Sequence, residues 1–147
     1  MLGHIATFSF SFSSEPWLNY NKENDEVFLS YEVDDLAAAL DDLLNDKLSE
    51  PTTVELIEPD FCFELLPKED LRNNSRVLYI QPGHEIVDIS MEWKISFWHN
   101  GLTANYLTVT LDRIDITNLR DYLFLVTGQY DESTPVIIEM EKNGILY

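Results

Sequence analysis

Thirteen residues, Ile86 to Trp98, constrain the fold more than any other stretch of this chain. Val87, Ile89, Met91, Trp93, Ile95 and Phe97 alternate with Asp88, Ser90, Glu92, Lys94 and Ser96. Side chains of a strand point to its two faces in turn, so this spacing predicts a β-strand with one apolar and one polar face. His99-Asn100-Gly101 reads as a turn, because Asn and Gly accept the positive φ of a tight hairpin. Tyr106–Leu111 is the returning strand. A long antiparallel hairpin is therefore the anchor of the fold.

The same rule places further strands. Phe8, Phe10 and Phe12 alternate with Ser9, Ser11 and Ser13, and Glu15-Pro16 ends that pattern. The polar run 19–25 reads as a loop and 26–33 as a second strand, with Val27, Leu29, Tyr31 and Val33 in phase. Shorter strands are predicted over 54–57, 61–66, 77–80 and 136–140, with a charged loop over 67–75. Asn143-Gly144 would turn the last strand into a small hairpin with Ile145-Leu146-Tyr147.

Two segments follow the helical period instead. From Asp34 to about Leu48, Leu36, Leu40, Leu43, Leu44 and Leu48 form one stripe, and the aspartates at its start suit the positive end of a helix dipole. From Asp115 or Thr117 to Thr127, Leu119, Tyr122, Leu123 and Val126 fall on one side. Gly128 stands where a helix C-terminus favours glycine. Strands joined by short turns, with only two helices, predict an α+β fold. Its mainly antiparallel β-sheet would carry both amphipathic helices on one face. No repeat, linker or low-complexity segment divides residues 1–147, so a single globular domain is expected.

Charge is the unusual property. The chain has 27 acidic and 9 basic residues, a net of −18, and residues 1–73 hold 17 of the acidic and 4 of the basic ones. Such a field repels nucleic acid and anionic lipid, both of which are bound through Lys and Arg. It speeds association with a basic protein surface. The plainer reading is that acidity serves solubility or a salt-adapted host. No apolar run reaches the roughly 20 residues of a membrane span. The start of the chain lacks a secretory pattern, and the single Cys62 precludes an intramolecular disulfide. A cytoplasmic location is the expectation.

Motifs that carry chemistry are missing. His4, His84 and His99 lie apart, with no partner at ligand spacing, and His84 and His99 adjoin turn residues, so no metal is expected. Cys62 lies between Phe61 and Phe63, with Asp60 and Glu64 opposing thiolate formation; an inert side chain is expected. Close pairs among 27 carboxylates arise by chance, so they do not indicate glycoside hydrolysis. Asp41, Asp42 and Asp46 do not match calcium-loop spacing. There is no Gly-x-Ser-x-Gly, and five glycines leave no phosphate loop. No cofactor and no catalytic residue is predicted.

These observations favour a small acidic inhibitor that binds a basic protein, in the manner of a bacterial immunity protein covering a toxin or nuclease. A phage inhibitor of a host defence nuclease, mimicking nucleic-acid charge, is the near alternative. The predicted partner-binding residues are Asp34, Asp35, Asp41, Asp42, Asp46, Glu55 and Glu58. Trp98, on the polar side of its strand, joins them as an aromatic anchor unless a helix or loop covers it. Trp17, Tyr20 and Tyr106 are aromatic candidates of the same kind. Two rivals come from other classes: a small-molecule binder or small enzyme with a site assembled from scattered strands, and an oligomeric module pairing through an edge strand such as 8–12.

Overall fold

The computed structural model describes residues 5–13 and 19–146, with side chains at 11 and over 29–146. The facing of Phe8, Phe10 and Phe12, the Glu15-Pro16 break, and the readings of His4, Trp17 and the Tyr20 side chain lie outside the described residues. The elements run β1 (Ile5–Ser13), β2 (Asn19–Leu29), α1 (Ser30–Leu44), β3 (Thr52–Glu55), β4 (Phe61–Leu66), β5 (Glu69–Asp70), β6 (Ile86–Val87), β7 (Ser90–Trp98), β8 (Leu102–Leu111), α2 (Arg113–Val126) and α3 (Pro135–Lys142). The fold is α+β, and every strand pairing is antiparallel.

The main sheet has the order β3-β4-β7-β8, with β1-β2 and β5-β6 as separate two-stranded ribbons. Its inner face is built from the predicted alternation. Phe61, Phe63 and Leu65 of β4 stand opposite Ile95, Trp93 and Met91 of β7, and these stand opposite Leu107, Val109 and Leu111 of β8. Leu36, Ala37, Leu40 and Leu43 of α1, with Ile116 and Leu123 of α2, close this layer into one core. At about 1.5–3 kcal/mol per fully buried large apolar side chain, that layer is the dominant favourable term in folding.

Several boundaries differ from the sequence reading. Residues 19–25 form strand rather than loop. Helix α1 starts at Ser30, so Tyr31 and Val33 are helical. Val33 is buried in the core with Leu36, Ala37 and Leu40 and extends their stripe by one turn. The long strand is interrupted at Asp88, whose carboxylate is held by Arg113, so Val87 is exposed instead of sharing the buried face. Residues 77–80 form no strand; Leu78 is 99% exposed.

The predicted strand over 136–140 is helix α3. Thr134 is its N-cap and Pro135 occupies the first turn, where a missing N–H costs nothing. Ile137 and Met140, three apart, are its buried residues. Its end explains Asn143-Gly144. Ile145 N–H donates to Met140 O and Gly144 N–H to Glu141 O, with Gly144 at φ 72°: a helix stop rather than a hairpin. The Asn100-Gly101 turn is as predicted, with φ of 54° and 122°.

Candidate functional site: an acidic band across the sheet

The side of the main sheet turned away from the helices is polar, and its register assembles two rows of side chains. One row runs Thr53, Glu64, Glu92, Thr110 and the other Glu55, Cys62, Lys94, Thr108, each set directly opposed across β3, β4, β7 and β8. Between the rows lies an open groove of about 220 Å³, to which Tyr106 also contributes a wall. Glu64 and Glu92 therefore face each other as like charges, an arrangement that destabilises a sheet by roughly 0.2–1 kcal/mol. Among the described residues neither carboxylate has an ion-pair or hydrogen-bond partner.

A lysine stands in the adjacent row and lines the same groove. Lys94 Nζ lies 4.3 Å from the centroid of the Tyr106 ring, a cation–π contact, and forms no ion pair among the described residues. The local field acts on Cys62. Burial pushes its thiol pKa up, Glu55 and Glu64 push the same way, and Lys94 opposes them. A thiol held protonated in this way is a poor nucleophile.

Glu32 of α1 is buried, and its two oxygens accept backbone N–H groups from separate parts of the chain: Leu29 at 2.8 Å and Ile57 at 2.7 Å. The first bond caps α1; the second clips the β3–β4 turn to it. Ile57 (66% exposed) and the exposed Glu58 follow β3, and the first turns of α1 carry Tyr31 (52% exposed) and the exposed Asp34 and Asp35.

The structure divides the residues singled out from sequence. Asp34, Asp35, Glu55 and Glu58 are exposed, and Glu55 stands in an outer row of the sheet. Asp41 turns to α2, where Arg120 Nη1 lies 3.0 Å from its Oδ1. Asp42 pairs with Lys47 and Asp46 with Lys68, each at 3.7 Å. These three serve intramolecular contacts. Trp98, next to a β-bulge, is half-buried, and its indole nitrogen is withdrawn from water. His84 and His99 are exposed, and no group of three potential metal ligands occurs among the described residues.

Glu64, Glu92, Tyr31 and Ile57 were missed by sequence reasoning. Alternation assigns Glu92 to a polar face, but only the β4–β7 register places Glu64 opposite it.

Fold and surface together define a two-layer α+β domain whose sheet turns a polar face carrying Glu55, Glu64, Glu92 and Lys94 outward. Comparison with family models, with curated proteins and with solved structures returns no match.

Proposed function

We propose that this chain is a binding protein that covers a basic protein surface, as a bacterial immunity protein covers a toxin nuclease. The observation that carries the reading is the opposed pair Glu64 and Glu92, neither of which has an ion-pair partner among the described residues. A partner's Arg or Lys side chain seated between them relieves their repulsion and gains charge-assisted hydrogen bonds. The groove suits that role. At about 220 Å³ it is smaller than the roughly 300–1,000 Å³ of small-molecule pockets. In this reading the exposed Tyr31 and Ile57 supply apolar contacts, and the exposed Asp34, Asp35, Glu55 and Glu58 supply charge. A nuclease needs a basic surface to hold phosphates, so occlusion by carboxylates inhibits it by direct competition. A cytoplasmic site of action follows from this reading, and no helix among the described residues is long and apolar enough to cross a membrane.

The test is capture from the native host at low ionic strength, with the wild-type chain and a Glu55→Lys/Glu64→Lys/Glu92→Lys variant as parallel baits. A cationic protein retained by the wild type, released by salt and absent from the variant supports the proposal. Equal retention by both baits, or no cationic protein on either, contradicts it.

A further inference from the structure

Residues 71–85 connect β5 to β6, and the connection is held at its base. Glu69 and Asp70 pair with Val87 and Ile86, and Leu71 N–H donates to Glu85 O at 2.8 Å. Two turns then flank its middle. Asn74 accepts from Arg76 N–H at its side-chain oxygen (3.0 Å) and from Val77 N–H at its carbonyl (3.1 Å). Beyond them His84 N–H donates to Gln81 O at 2.9 Å. Leu78, Tyr79 and Ile80, between the turns, belong to no helix or strand. Among the described residues their peptide groups make no hydrogen bond.

Their side chains face water as well: Leu78 is 99% and Tyr79 78% exposed. The other exposed Leu and Tyr side chains among the described residues, Tyr31, Leu102, Tyr106 and Tyr122, belong to α1, β8 or α2, where regular structure holds the backbone. Leu78 and Tyr79 alone combine a large exposed side chain with peptide groups free to pair. That combination is what a cleft binding an extended chain requires: backbone groups add as a strand, and one side chain fills a pocket. Exposed loops of this kind are also where nicking concentrates.

We propose that Leu78-Tyr79-Ile80 is the site at which an endopeptidase with an apolar primary pocket cuts this protein, and that the product is a nicked but assembled domain. Water adds across the bond after Leu78 or Tyr79. The carbonyl carbon takes the hydroxyl and becomes a carboxyl terminus; the nitrogen of the next residue takes the remaining hydrogen and becomes an amino terminus. The fold keeps the pieces together. The cut falls between β4 and β7, and the opposed pairs from Phe61–Ile95 to Leu66–Ser90 join the two fragments. Arg120 on α2 reaches Asp41 on α1 across the same divide. Leu40 and Phe63 on one fragment share a single core with Met91 and Ile116 on the other. The proposal rests on exposure and hydrogen bonding and needs nothing of the binding role.

Limited digestion of the full chain with chymotrypsin, whose primary pocket is a hydrophobic slot, tests this. Within residues 29–146 the first cut, read by mass spectrometry, should follow Leu78 or Tyr79. The fragments should co-elute at the size of the intact chain in native sizing chromatography and separate in denaturant. Thermal unfolding of the nicked protein should become concentration-dependent, because its folding is now an association. Leu78→Asp/Tyr79→Asp should slow the cut by about tenfold or more with the circular-dichroism spectrum unchanged. If that variant unfolds, Leu78→Ser/Tyr79→Ser carries the same expectation. A first cut elsewhere within residues 29–146, a cut untouched by these substitutions, or fragments that part under native conditions overturns the proposal.

Discussion

Glu64 on β4 and Glu92 on β7 stand directly opposite one another on the outward face of the sheet, while Lys94, one row away, rests on Tyr106. Folding alone does not favour this. Glu64→Gln or Glu92→Gln should raise stability by a few tenths to about 1 kcal/mol, read from denaturant unfolding, because each removes a like-charge opposition. The same substitutions should weaken partner binding. Opposite signs for stability and binding are the signature of a residue placed for recognition; a loss of stability in both variants would count against that role.

Arg120 bridges two helices and shields a buried charge. Its guanidinium lies 3.0 Å from both Asp41 Oδ1 and Asp121 Oδ1, and the Asp121 side chain is 3% exposed. Arg120→Ala leaves Asp121 buried without its cation and should cost about 3–5 kcal/mol. Asp41→Asn, on the more exposed limb, should cost under about 1 kcal/mol. Thermal unfolding of the pair checks the ranking.

In the core, the Trp93 ring centroid lies 5.0 Å from that of Phe61 and 5.4 Å from that of Phe63. Trp93→Ala should cost roughly 3–5 kcal/mol. Trp93→Phe should cost much less, since the indole N–H it removes is buried without a partner among the described residues. Denaturant midpoints that fail to separate the two substitutions would contradict this packing.

The joint between α2 and the start of β7 should resist acid until low pH. The bidentate Arg113 guanidinium holds the Asp88 carboxyl at about 2. A depressed folded-state pKa contributes stability that is present above the unfolded value of roughly 3.9 and lost as pH falls through about 2. The pair is half-exposed, so its contribution is under about 1 kcal/mol. Asp88→Asn should flatten the stability profile in that window by the same amount.

What was legible in the sequence is what repeats locally. The alternation of β7 and the leucines of α1 imply the inner layer and its covering helix before any contact is known. α3 escaped because Val136-Ile137-Ile138 has strand propensity, and the Thr134-Pro135 start was outweighed by it. Val33 fits period 2 as well as period 3.6, and burial against Leu36 and Ala37 decides between them. The candidate site was half legible. Asp34, Asp35, Glu55 and Glu58 follow from charge, whereas the Glu64–Glu92 opposition depends on register between strands 20 or more residues apart, which no local pattern encodes.

Stopped-flow association between the captured basic partner and this chain, followed across a salt series, tests recognition by the sheet face. With Glu64→Lys/Glu92→Lys, the account predicts an association rate at least about tenfold slower at low salt and a flatter salt dependence. An unchanged rate with an unchanged salt slope would mean that the carboxylates of the sheet face take no part in recognition.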